Sequence, residues 1–222
     1  MASRIGLFKE PVSALTHFAG FVAALAGLGF LLFSSRENGP KQAAVAIYGV
    51  SLAVLFLSSS VYHFLDLGER GNRWLRRLDH GAIFLLIAGT YVPALTLLLG
   101  GTWRVVMLSV VATLAVLGLA FKLAWVDCPG WISTSLYLAM GWLIVIPGYR
   151  MLPRLSAWPL SWLVLGGMAY TVGALVYLFE WPDPWPRKMG HHEIWHLFVL
   201  AGAFAHFVFV ASLLDLPLPP FG

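Results

Sequence analysis

Two histidines and a glutamate stand in the stretch His192-Glu193-Ile194-Trp195-His196. Their pattern, H-E-x-x-H, is one in which histidines at i and i+4 on a helix bind zinc and the glutamate acts as general base on water. That spacing sets the two imidazoles one above the other on a single helix face, within reach of one ion. Ser59 and His63 repeat it in Ser59-Ser60-Val61-Tyr62-His63. Three neutral imidazoles with a fourth position left for water make a catalytic zinc site, as opposed to a closed structural one. His63, His192 and His196 are therefore the candidate ligands. Yet the residues that follow His196, LFVLAGAFAHFVFVASLL, are almost wholly apolar. What the motif means depends on the elements that carry it.

Of the 222 residues, 59% are hydrophobic and only 11% charged, against roughly 25% charged in a soluble domain. The chain reads as an integral membrane protein. Crossing about 30 Å of hydrocarbon takes roughly 20 helical residues. Seven apolar runs serve as spans: 12–33, 43–64, 79–99, 103–121, 131–149, 160–179 and 192–214. They lack the alternation of barrel strands. The expected fold is therefore an all-α, seven-transmembrane-helix bundle, a single membrane domain over 1–222. Asn38-Gly39-Pro40, Gly100-Gly101 and Cys128-Pro129-Gly130 fall between spans, whereas Pro93 and Pro147 fall inside them and should kink their helices. No small-residue cleavage pattern follows the first span, which reads as a retained helix and not a signal peptide.

Nine of the 14 Lys and Arg residues lie on the side of the N-terminus: Arg4, Lys9, Arg70, Arg73, Arg76, Arg77, Lys122, Arg187 and Lys188. The other five, Arg36, Lys41, Arg104, Arg150 and Arg154, lie opposite. This asymmetry predicts a cytoplasmic N-terminus and an outside C-terminus. It also accounts for the net charge of +4 without invoking nucleic acid. The single cysteine, Cys128, permits no intrachain disulfide and no soft metal cluster, and it reads as a chance thiol.

Ionisable groups in a bilayer cost several kcal/mol unless paired, hydrated or metal-bound, so each one near a span is a functional candidate. His63 ends the second span, Asp79 begins the third, and His192 and His196 begin the seventh. Successive helices run in opposite directions, so these four groups share one depth. His17, about a turn and a half into the first span, is close enough to line the site, with a packing role equally open. His206 lies roughly 15 Å beyond His196 along a helix axis, too far to share its ion, and suits an interhelical hydrogen bond. His80 and His191 point about 100° away from their neighbours in the site and read as interfacial.

EPVSALTHFAG in the first span, SSSVYHF in the second, LDHGAIFLLIAGTYVPALTLLL in the third and HHEIWHLFVLAGAFAHF in the seventh resemble the bacterial hemolysin III family. That family is related to the progestin and adiponectin receptors and, more distantly, to the alkaline ceramidases. The resemblance covers nearly the whole chain. Its combined S-x-x-x-H, L-D and H-x-x-x-H elements imply zinc on His63, His192 and His196, with Asp79 holding a water on the metal. It also implies that Glu193 occupies a variable position. Geometry agrees, since Glu193 is turned about 100° from the face carrying the two histidines; Asp79 is then the better candidate for the base.

The function expected on these grounds is zinc-dependent hydrolysis of an amide or ester bond in a lipid-like substrate near the cytoplasmic face of a bacterial inner membrane. Asp79 at a helix N-terminus would orient and deprotonate the water. Ser59, one turn deeper than His63, would hold the oxyanion or brace the metal. Membrane lipids, a lipid-like substrate and a fatty acid product are the expected partners. The alternative is a receptor-like or membrane-sensing protein with structural zinc. A pore-forming hemolysin is disfavoured, because only His17 and His206 offer ionisable groups deep in the hydrocarbon and a conduction path needs polar lining.

Overall fold

Away from water, a backbone segment must satisfy its own N–H and C=O groups, and each apolar run does so by becoming a helix. The computed structural model describes residues 9–185 and 189–220. Its helices are α1 (Pro11–Ser34), α2 (Gly39–Phe64), α3 (Gly68–Leu98), α4 (Gly101–Ala124), α5 (Gly130–Trp142), α6 (Val145–Met151), α7 (Ala157–Phe179) and α8 (His191–Ser212). A 3-10 turn, Leu152–Arg154, follows α6. With α5, α6 and that turn taken as one interrupted span, seven segments among the described residues are long and apolar enough to cross a membrane. The chain is a seven-helix integral membrane protein. Arg4, Arg187 and Lys188, used in the charge count, lie outside the described residues.

Local chemistry sets the ends. Asn38 caps α2, its side-chain oxygen accepting the Lys41 N–H at 3.1 Å, with Pro40 in the first turn where its missing donor costs nothing. In the fifth span, Pro147 removes the N–H that would pair with the Leu143 carbonyl. The helix breaks at that turn, and the Leu143 oxygen accepts from Ile146 N–H at 3.1 Å instead. By contrast, α3 runs through Pro93 without interruption.

The start of α3 departs from the sequence reading. The helix begins at Gly68 and not at Asp79, about three turns earlier. The stretch from Gly68 to Arg77 is too polar for hydrocarbon, but a helix need not end where the hydrocarbon does. Glu69 and Arg73 pair at 3.1 Å across one turn, and Arg76 reaches Asp127, in the loop between α4 and α5, at 2.9 Å. Asp79 is therefore in a helix interior, and the expected help from a helix N-terminal dipole is absent.

α1 packs on α2 and α8, α2 on α3, α3 on α4, and α7 on α8. The central α2 and α3 are the most buried spans, and α1, α5–α6 and α7 the least. Exposed apolar side chains such as Phe33, Val116 and Phe179 face outward, as expected where the solvent is lipid. α2 and α3 approach so closely that a Cβ on Gly89 would collide with Ser51, which makes glycine obligatory there. At the end of the bundle away from the N-terminus, the segment after α8 is tied across the helices. Lys41 donates to the Leu214 and Leu216 carbonyls, Arg154 to that of Pro217 and Arg104 to that of Pro220.

Candidate metal centre

His63 stands in the last turn of α2, and His192 and His196 in the first two turns of α8. The three rings converge, with centroids 5.1 Å apart for His63 and His192, 4.7 Å for His63 and His196, and 4.9 Å for His192 and His196. One ring nitrogen from each lies within 4.8 Å of the others, and these are the residues grouped this way among those described. His63 and His196 are buried and His192 half-buried. Nε2 of His192 and Nδ1 of His196 are buried without a hydrogen-bond partner. Buried ring nitrogens left unpaired cost free energy unless something supplies the missing partner. Zinc bound at 2.0 to 2.1 Å holds tetrahedral ligands about 3.3 Å apart, so small ring movements would close this cluster onto one ion. The donor set fits the metal that the sequence pattern implies.

What orients His63 is absent from the sequence reading. Its Nδ1–H donates to Glu10 Oε2 at 2.6 Å, and the Glu10 N–H donates back to the His63 carbonyl at 2.9 Å. Glu10 precedes α1, 53 residues away in sequence, and no local spacing could have disclosed the pair. The bond to His63 holds the Glu10 carboxyl below its ordinary range. Ser13 and His17 continue the same face of α1. Ser13 Oγ lies 3.4 Å from Glu193 Oε1, and the His17 ring stacks on His196 with centroids 3.8 Å apart. Both nitrogens of His17 are buried and unpaired, yet the ring stays outside the three-nitrogen group.

Asp79 and Ser59 are both buried and line the same cavity as the three histidines, a space of about 550 Å³ that runs among apolar side chains from α2, α3, α5, α6, α7 and α8. Asp79 Oδ2 lies 3.4 Å from Nδ1 of His80, which also contacts the Arg76 carbonyl at 3.0 Å. A vestibule of about 260 Å³ sits beside it, lined by Glu10, Glu193, His63 and His192 among others. His206 sits deeper, its Nε2 3.3 Å from the Leu163 carbonyl of α7, with Gly166 leaving room for its ring. It serves between helices and away from the three-ring cluster.

Cys128 is more than a loop thiol. Its Sγ lies 3.3 Å from Nζ of the buried Lys122 and 3.1 Å from Oγ of Ser133, a polar knot joining the end of α4 to the start of α5.

The sequence matches the family profile described as haemolysin-III related over residues 5–207. It is 36% identical over 197 residues to Hemolysin-3 of Bacillus cereus, across 88% of this chain and 87% of that protein. It is 37% identical over 201 residues to the Hemolysin-3 homolog of Bacillus subtilis (strain 168), across 90% of this chain and 91% of that protein. Adiponectin receptor protein of Drosophila melanogaster is 32% identical across 86% of this chain and 48% of its own length.

Proposed function

The chain belongs to the haemolysin-III-related family, and from that premise we propose that it is a zinc-dependent hydrolase of amide or ester bonds in lipid-like substrates. The observation that carries the reading is a shared wall. The three converging histidines, Asp79 and Ser59 all line one cavity whose remaining walls are largely apolar. Such a space takes a lipid tail while presenting a carbonyl to polar groups at one end.

In this reading His63, His192 and His196 hold the metal. Zinc bound there supplies a Lewis acid and lowers the pKa of water toward about 7. Asp79, buried in the same cavity and braced by His80, orients the attacking water and takes its proton. Ser59, one turn from His63 on α2, donates to the oxygen on which negative charge develops. The apolar walls exclude bulk water and fix the acyl chain. The charge asymmetry supports a cytoplasmic-side position for this end of the bundle, in what the Bacillus relatives suggest is a plasma membrane.

A panel of lipid amides and esters offered to purified, zinc-loaded protein tests the reading. Asp79→Ala should keep its zinc and its fold while losing about 10²- to 10⁴-fold in turnover. Zinc content of about one per chain, with no turnover of any member by the unmodified protein, would point to the second reading. In that reading the metal staples α2 to α8 in a receptor-like or membrane-sensing protein, as the name of the Drosophila relative suggests.

A further inference from the structure

Which nitrogen an imidazole offers to a metal is settled by what its other nitrogen bonds. For His63 that partner is in place. Its ring is 2% exposed, and Nδ1 lies 2.6 Å from a carboxylate oxygen of Glu10. The main chain that carries the carboxylate is itself tied down. Glu10 N–H and Lys9 N–H donate to the carbonyls of His63 and Phe64, so the chain entering α1 is laid along the end of α2. Pro11 then starts α1 at once, which leaves Glu10 outside the helix with its side chain on the ring. His192 and His196 each keep a buried nitrogen, Nε2 and Nδ1 respectively, without a hydrogen-bond partner among the described residues.

We propose that Glu10 is the positioning residue of the metal centre, holding His63 as the Nδ1–H tautomer so that Nε2 faces His192 and His196. The inference rests on the three-histidine centre proposed above. Glu10 acts through His63 and touches neither substrate nor metal. It also places a negative charge behind one ligand, which makes that imidazole a stronger donor. A carboxylate in this role changes metal affinity by about 10- to 100-fold when removed. α1, which contributes no ligand, thus sets the strength of a site built from α2 and α8.

The test is zinc affinity of the full chain in detergent, measured by competition with a chromophoric chelator, for the unmodified protein and for Glu10→Ala, Glu10→Gln and His63→Ala. Glu10→Ala should bind zinc about 10- to 100-fold more weakly. Glu10→Gln preserves the main-chain pairing and an acceptor for Nδ1–H but loses the charge. It should bind about threefold or more weakly, with thermal unfolding of the metal-free protein unchanged. Nitrogen-15 histidine spectra supply a second readout, in which the Nδ1–H signal of His63 should persist in Glu10→Gln and give way to mixed tautomers in Glu10→Ala. If Glu10→Ala binds zinc as tightly as the unmodified protein while His63→Ala loses it, the role of Glu10 is wrong and the centre stands. If His63→Ala keeps full affinity, the centre itself is wrong.

Discussion

Glu193 has both carboxylate oxygens engaged. Oε2 accepts the Gly190 N–H at 2.8 Å, and Oε1 lies 3.4 Å from the Ser13 hydroxyl. A glutamate at the third position of a helix that reaches back to the residue before it satisfies one of the donors left free at the helix start. In α8 this residue ties down the segment that brings in His192 and His196. Glu193→Ala should therefore cost about 1 kcal/mol of stability, read as a lower unfolding temperature in detergent. Glu193→Gln keeps an acceptor and should hold turnover within about threefold, whereas a general base lost at this position would cost 10²-fold or more. The H-E-x-x-H pattern made the two histidines legible in sequence, because i and i+4 share a helix face whatever the surroundings. Glu193 could be placed off that face by the same argument. The contribution of Glu10 could not, since it depends on how two chain segments 53 residues apart lie against each other.

The elements show where hydropathy stops being informative. Apolar length marked the seven spans, because lipid imposes it. It placed the start of α3 about three turns late, because the arginine-bearing turns from Gly68 to Arg77 are helical without being lipid-buried. Pro147 signalled a disturbance in the fifth span, but the extent of the break needed a partner from another helix. Tyr91 of α3 places its hydroxyl 2.9 Å from the Met140 carbonyl, which also accepts the Leu143 N–H at 3.4 Å, and 2.8 Å from that of Gly141, both in the turn where α5 ends. Irregular backbone at membrane depth survives only where it is buried in protein or lines a cavity, and Gly141, Ile144 and Val145 line this one. Tyr91→Phe removes the donor and should destabilise the protein by about 1–3 kcal/mol, measured by thermal or denaturant unfolding. Zinc affinity should be unchanged, since the break is carried by α5 and α6 and the histidines by α2 and α8.

At the scale of the whole molecule the two ends of the bundle are built differently. One end carries the three-histidine cluster and opens into a vestibule. At the other, Lys41, Arg104 and Arg154 are committed to carbonyls of the segment after α8, so three of the five cations counted on that side are tied into the fold. The cations at the opposite end include Arg73 and Arg76, which stand on the projecting turns of α3. Positive charge next to a span favours retention on the cytoplasmic side. An odd number of spans leaves the start of α1 and the end of α8 at opposite ends of the bundle. A reporter phosphatase that folds only outside the cytoplasm should then be active when fused after residue 220 and about tenfold or more less active when inserted between α4 and α5. The inverse pattern would place the histidine cluster at the outer face. The metal would then come from outside the cell and the substrate from the outer leaflet.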